Sequence, residues 1–316
     1  MRDCTKAAES VQDCPVQDFQ AMDRPRPLSE LPAPALVGVA GVLTDIDDTL
    51  TDHGELLAPA REALHALAAA SVPVVAITGR PMGWSEPFAR QWPLAALVAE
   101  NGAVAFLPQA LQAPNEPGGA RTLRVAWAQD EPTRARHARR LREVAARVLA
   151  EVPGATLARD SAGRVTDIAI DHSEYTRLDE ASIERVVALM REEGMSATVS
   201  SIHVNGWFGE HTKLSGARWM VRELYGRDLD AERGRWLYVG DSTNDQLLFG
   251  HLPLSIGVAN VRDFATRLHT WPAYVAPSPR GRGFAEVAQA LLAARGVSAG
   301  IKPGIQPGIQ PGIQPG

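Results

Sequence analysis

Leu36-Val37-Gly38-Val39-Ala40-Gly41-Val42-Leu43 runs through Thr44 into Asp45-Ile46-Asp47-Asp48-Thr49. An apolar run that ends in acids predicts a buried strand of an open α/β sheet, whose ligands bind beyond the carboxyl ends of the strands. Alternation along the extended chain puts Asp45 and Asp47 on one side. Two carboxylates sharing a site are costly without a cation or a proton between them, and a divalent metal is the simplest remedy. The alternatives are a strand end with solvated turn-forming acids, or the start of an EF-hand. The latter fails at Leu50, where that loop needs Gly, and at Leu56, where it needs a bidentate Glu.

Three further segments supply what phosphoryl transfer to an aspartate requires. Val72-Pro73-Val74-Val75-Ala76-Ile77-Thr78-Gly79-Arg80 is a β-branched strand ending in a hydroxyl, a glycine and a guanidinium. Thr78 and nearby backbone N–H groups can hold a phosphate oxygen. Lys213 stands near the start of a helical stretch with apolar Leu214, Ala217, Val221 and Leu224. Leu237-Tyr238-Val239-Gly240-Asp241-Ser242-Thr243-Asn244-Asp245 is another buried strand with acids at its end, where Asp241 can complete an oxygen-only metal site. Read singly, these are equally a strand-to-helix turn, a solvated helix lysine and a helix N-cap.

Together and in this order, the segments resemble the four motifs of the haloacid dehalogenase-like (HAD) hydrolase superfamily, Asp-x-Asp-x-Thr first and Gly-Asp-x-x-x-Asp last. Thr78-Gly79-Arg80 followed by Glu100-Asn101-Gly102-Ala103, and Asp241 to Asp245 followed by Gly257-Val258-Ala259-Asn260, resemble the branch with an α/β (C2B-type) cap between motifs two and three. That branch includes the Cof-type, sucrose-phosphate, mannosyl-3-phosphoglycerate and trehalose-phosphate phosphatases. One departure is that Leu214 follows Lys213 where the branch commonly has Gly, which comes here only at Gly216. His211 is therefore weighed as an additional contact.

The expected fold class is α/β, a doubly wound, mostly parallel Rossmann-like sheet with an inserted α/β cap domain. The expected organisation is a loosely ordered Pro-bearing arm over 1–34, a discontinuous core over 35–107 and 208–296, a cap over 108–207, and a disordered Pro-Gly tail over 297–316. Thr51 to Leu56 reads as a small hairpin, the flap of this superfamily. Helices are expected at 59–70, 84–91 and 284–294, and strands at 73–77, 96–99, 254–258 and 273–275. In the cap, Leu141, Val144, Ala145, Val148 and Leu149 form a helix stripe, and Arg134, Arg136, Arg139, Arg140, Arg142 and Arg147 read as a solvated face rather than a nucleic-acid site. Ser201, His203 and Asn205 alternate as a polar stripe.

The resemblance implies a Mg²⁺ cofactor held by the Asp45 carboxylate, the Asp47 backbone carbonyl and the Asp241 carboxylate, with Asp245 acting through water or one contact removed. Asp45 is then the nucleophile, Asp47 the general acid and base, and Thr78 and Lys213 the phosphate holders. Arg80, His203, Asn205 and Asn244, with Asp171, are candidates for contacting the substrate. The implied activity is a Mg²⁺-dependent phosphatase that acts on a small phosphorylated metabolite, with sugar phosphates favoured, through an aspartyl-phosphate. A phosphomutase is the nearest alternative, and a non-catalytic sugar-phosphate sensor a more distant one.

Composition is that of a globular chain, with 45% hydrophobic and 22% charged residues among 316. The net charge of −5 offers no general attraction to nucleic acid or an anionic membrane. No apolar run of about 18 residues predicts a membrane span, and the N-terminus lacks a signal-peptide core, so a cytoplasmic enzyme is expected. Cys4 and Cys14, the two cysteines, read as incidental thiols.

Overall fold

The computed structural model describes residues 25–109 and 121–297. In chain order its elements are β1 (Arg26–Pro27), α1 (Ala33–Val37), β2 (Gly41–Thr44), α2 (Ala58–Ala69), β3 (Val74–Ile77), α3 (Met82–Gln91), β4 (Ala96–Ala99), β5 (Val104–Pro108) and β6 (Leu123–Trp127). There follow α4 (Glu131–Glu151), β7 (Thr156–Leu157), β8 (Asp167–Asp171), α5 (Glu180–Glu192), β9 (Ser196–Val199) and β10 (His203–Trp207). The chain ends with α6 (Lys213–Tyr225), β11 (Trp236–Gly240), α7 (Gln246–His251), β12 (Leu254–Gly257), β13 (Tyr274–Val275) and α8 (Arg280–Ala294).

A nine-stranded sheet has the order β1-β13-β12-β11-β2-β3-β4-β5-β6, parallel from β1 to β4 and antiparallel over the last two pairings. The expected doubly wound core is therefore present. From β2 the chain winds outward through β3 and β4, then returns to β11 on the other side of β2 and winds the opposite way. β2 and β11 thus flank the topological switch point, where loops leaving adjacent strands diverge and open a crevice. Strands β2, β3, β4 and β11 are buried along their whole length, as parallel strands covered by helices on both faces must be. Leu64, Leu67, Leu291 and Leu292 pack one face and Val98, Met220, Val221 and Trp236 the other.

The inserted unit is a four-stranded antiparallel sheet, β7-β8-β10-β9. Leu141, Val144 and Val148 of α4 and Ile183, Val186 and Leu189 of α5 close a separate core with Ile170 and Val204. Arg147 pairs with Glu151 at 2.7 Å, Glu192 at 2.9 Å and Glu193 at 2.7 Å, so this part of the arginine face is matched by acids of α4 and its neighbour α5.

Several boundaries differ from the sequence reading. The run from Leu36 to Leu43 is not one strand. Leu36 and Val37 finish α1, the chain turns at Gly38, and the strand begins at Gly41. The arm expected over 1–34 is built into the core from residue 25, since Arg26–Pro27 pair with β13 and Leu28 and Leu31 are buried. Pro27 stands in an edge strand and Pro34 in the first turn of α1, both places that tolerate a missing N–H. The insert begins later than 108, because β6 extends the large sheet as far as Trp127. Helix α8 starts at Arg280, ahead of the expected 284, and runs through Gly281. A Cβ on Gly281 would come within 2.7 Å of the Leu50 carbonyl, so glycine here permits close packing on the loop after β2. Cys4, Cys14 and the Ile-Gln-Pro-Gly tail lie outside the described residues. Among the described residues, no helix is long and apolar enough to cross a membrane.

Candidate active site

The loop after β2 folds back on itself, with the Ile46 carbonyl accepting from the amides of Thr49, Leu50 and Thr51. Asp45 stays in register with β11 through its N–H to the Val239 carbonyl, which brings it beside Asp241. Asp45, Asp241 and Asp245 are buried, and ligand oxygens of the three lie within 4.8 Å of one another. Helix α6 enters this group at its first residue. The Thr212 side chain caps the helix through the Ser215 N–H, and Lys213 Nζ lies 2.7 Å from Asp45 Oδ1 and 2.8 Å from Asp245 Oδ1. The missing Gly after Lys213 therefore does not displace the ammonium.

The three acids are not equivalent. Asp245 Oδ1 accepts from Lys213 Nζ and, at 2.5 Å, from the Tyr238 hydroxyl, while Oδ2 accepts from the amides of Asp241 at 2.9 Å and Ser242 at 3.0 Å. A carboxylate offers about four lone-pair sites, so its capacity is filled. Gly240 makes this possible, since a Cβ there would stand 2.6 Å from Asp245 Oδ2. Among the described residues, the Asp241 carboxylate accepts only from Thr49 Oγ1 at 3.3 Å and Asn260 Nδ2 at 3.0 Å, and keeps lone pairs for an ion. Asp245 is thus saturated, while Asp45 and Asp241 keep oxygen lone pairs open to a ligand.

Electrostatics point the same way. Burial pushes the Asp45 carboxyl up to about 7 against the pull of Lys213, with Asp245 and Asp47 adding to the rise. Burial, then Asp45 and Asp245, push Asp241 well above the usual range. Lys213 pairs with Asp45 and Asp245, and Arg80 with Asp47, Asp160 and Glu174, so carboxylates outnumber these two cations. Oxygen-only donors suit a hard divalent cation.

Thr78 follows β3 with its hydroxyl 3.3 Å from Asp47 Oδ2, and the Arg80 amide donates to that hydroxyl at 3.0 Å. Arg80 Nε donates to Asp47 Oδ1 at 2.9 Å, while its two other nitrogens reach the cap at Asp160 Oδ2, 3.2 Å, and Glu174 Oε1, 3.0 Å. A cleft between core and cap is lined by Asp45, Asp47, Gly79, Arg80, Ser200, Ser201, Ile202, His203, Asn205 and Asn244. The structure thus gathers Arg80, His203, Asn205 and Asn244 at one cleft.

Most of these candidates are already engaged. His203 Nε2 lies 2.8 Å from Glu174 Oε2, and Asn205 Nδ2 donates to Asp167 Oδ2 at 3.3 Å and the Gly79 carbonyl at 3.4 Å. Asn244 Oδ1 accepts from Ser242 Oγ. Asp171 does not fit the expected hydroxyl contact, because its two oxygens accept the amides of Ser173, Glu174, Tyr175 and Thr176. His211 is also placed elsewhere. It stacks on Trp207 with centroids 5.6 Å apart, and burial pushes it down to about 4.

The sequence reading did not single out Glu100, Asp160, Arg164, Asp167, Glu174 or Tyr238. Glu100 is fully buried and accepts from the amides of Met82 in the core and of Val165 and Thr166 in the cap. For Glu174, burial works upward, but the His203 hydrogen bond and the Arg80 charge outweigh it and hold the carboxyl at about 2. The turn-forming cluster after Asp171 was the available signal for this loop.

A family profile described as haloacid dehalogenase-like hydrolase matches residues 42–112. No curated protein matches the chain by sequence. Among solved structures, a Thermoplasma acidophilum protein is similar at 15% identity and a TM-score of 0.59, over 80% of this chain and 98% of that one. A sucrose-phosphatase from Synechocystis, solved with sucrose and phosphate, is similar at 15% identity and a TM-score of 0.56, over 80% and 98%. The C-terminal domain of a trehalose-6-phosphate phosphatase from C. albicans is similar at 13% identity and a TM-score of 0.54, over 86% and 98%. At these identities the likeness is one of fold. The profile bears out the resemblance over the segment that holds the first two motifs, and the solved structures share the fold that it implies.

Proposed function

We propose that this chain, with its HAD-like core, is a Mg²⁺-dependent phosphatase that hydrolyses a small phosphorylated metabolite, a sugar phosphate, through an aspartyl-phosphate. One observation carries the reading. Asp45 with Asp47, Lys213 and Asp241 come from three separate segments yet meet at one crevice, with Lys213 Nζ 2.7 Å from Asp45 Oδ1. A binding module has no physical need for a nucleophile and a proton donor side by side.

Asp45, Asp241 and the backbone carbonyl of Asp47 would hold Mg²⁺, which when bound supplies positive charge against the phosphoryl oxygens. An Asp45 carboxylate oxygen attacks phosphorus, and the bond from phosphorus to the leaving oxygen breaks. Lys213 neutralises charge at the nucleophile and the phosphoryl group. Asp47 Oδ1 is committed to Arg80, so the proton delivered to the leaving oxygen rides on Oδ2. Water then attacks phosphorus and gives its proton to Asp47. The bond to Asp45 breaks, which frees phosphate and restores the carboxylate. Thr78 Oγ1, beside Asp47 Oδ2, orients a phosphoryl oxygen at the cost of its present contact.

The sugar-phosphate assignment draws support from the sucrose-phosphatase and trehalose-6-phosphate phosphatase folds and from a cleft rich in hydrogen-bonding groups. The test is release of inorganic phosphate from a panel of phosphorylated sugars, nucleotides and cofactors, with Mg²⁺ and with chelator. Turnover of sugar phosphates that requires Mg²⁺ supports the reading. Movement of the phosphoryl group to another substrate hydroxyl without free phosphate would make the chain a phosphomutase.

A further inference from the structure

Arg80 is buried to 6% exposure at the junction of core and cap, and its guanidinium is divided among three carboxylates. Nε meets Asp47, and the two terminal nitrogens meet Asp160 and Glu174 of the cap. We infer that Asp160 and Glu174 are positioning residues for the acid/base Asp47, acting on it through Arg80. This inference rests on the phosphatase reading.

The argument is geometric. A guanidinium is a rigid planar fork, so fixing its two ends fixes the direction in which Nε points. Both cap carboxylates are held independently of Arg80. Asp160 receives Arg164, Nε to Oδ1 at 3.1 Å and Nη2 to Oδ2 at 3.2 Å, and Arg164 is itself fixed by Asp167 at 2.9 Å and the Gly79 carbonyl at 2.9 Å. Glu174 is held by His203 at 2.8 Å, on a turn pinned by Asp171. Asp47 has less support, since among the described residues its side chain otherwise accepts only from the Thr78 hydroxyl at 3.3 Å. Without the cap carboxylates, Arg80 regains its rotamers and Asp47 loses the contact that aims Oδ2 at the leaving oxygen.

Proton donation matters in proportion to the basicity of the leaving group, and this gives a readout that a structural role does not move. Glu174→Gln and Asp160→Asn, singly and together in the full chain with Mg²⁺, are assayed on aryl phosphates of similar shape whose phenols differ in acidity, from 4-nitrophenyl to 4-methoxyphenyl. These substrates carry no hydroxyl for Glu174 to recognise. Both substitutions are near-isosteric, and thermal midpoints verify folding. The expected result is a steeper fall of kcat/KM with phenol pKa, about tenfold in rate at the basic end and little change at 4-nitrophenyl, in the same sense as Asp47→Asn. Parallel lines, or no loss, would overturn the inference while wild-type turnover leaves the phosphatase reading standing. A wild-type chain inert toward every aryl and sugar phosphate with Mg²⁺ overturns both.

Discussion

The Tyr238 hydroxyl donates to Asp245 Oδ1, the same oxygen that takes the Lys213 ammonium. Tyr238 thereby fixes the counter-charge that holds Lys213 against Asp45. Burial, with the charges of Asp245 and Asp45, keeps the hydroxyl protonated. A hydrogen bond to a charged group contributes about 1.5 to 3 kcal/mol. Tyr238→Phe is expected to lower kcat about tenfold, since about 1.4 kcal/mol in the barrier is a factor of ten. Steady-state kinetics with thermal melting checks this, and wild-type kcat in a folded variant would remove Tyr238 from the site.

Asp45→Asn is expected to abolish turnover while the chain melts cooperatively, because an amide of the same shape forms no acyl-phosphate. Asp47→Asn keeps the backbone carbonyl offered to the metal but loses the proton carrier. Its expected loss in kcat is about 10² or more, the usual scale of general acid–base contributions. Rapid-quench detection of phosphorylated protein, absent in the first variant and present in the second, separates the two roles.

The raised carboxyls give a signed pH dependence. Asp45 at about 7 and the raised Asp241 hold protons in the metal-free fold that the unfolded chain, with carboxyls near ~4, has released. For Asp45 the penalty is full above pH about 7 and fades as pH falls toward ~4, and Asp241 adds to it in the same sense. On the proposed reading, Mg²⁺ would bind the ionised pair and remove that penalty. Melting with Mg²⁺ and with chelator should therefore show a larger rise in Tm at pH 8 than at pH 5.5. Equal rises would exclude this pair as the binding site.

Glu100→Gln should loosen the seam between core and cap. The carboxylate accepts amides from Met82, Val165 and Thr166, and glutamine has one acceptor oxygen to offer them. Each amide left unpaired in the interior costs about 1 to 3 kcal/mol. The expected signature is a lower Tm with faster hydrogen exchange at Val165 and Thr166. Unchanged exchange at those amides would show that Glu100 does not hold the seam.

The core was legible because parallel strands buried on both faces read as apolar runs, and because the acids at their ends fall in motif order. Lys213 lies beside Asp45 even though Leu214 departs from the pattern, since its position depends on the Thr212 cap at the start of α6. The polar stripe of β10 was located but its partners were not. His203 and Asn205 alternate visibly in the sequence, yet that they meet Glu174 and Asp167 follows from antiparallel register with β8 and from the turn after it. Tyr238 was hidden for another reason, since a tyrosine in an apolar run reads as core until the position of Asp245 is known. Arg26 to Leu31 was misread because Pro in an edge strand and Pro in a flexible arm look alike in composition.

The pairing of β2 with β11 joins residues that the chain produces far apart in time, with Thr49 and Asp241 separated by 192 positions. During synthesis, β2 emerges with one edge bare and stays so until Trp236 to Gly240 leaves the ribosome. The cap differs, since β7 to β10 are contiguous and its sheet can close as soon as Trp207 appears. Nascent chains halted between these points should carry a protected cap beside a core that proteases and chaperones still recognise. Catalytic competence then arrives late and abruptly, as the strand that bears Asp241 slots in beside the one that bears Asp45.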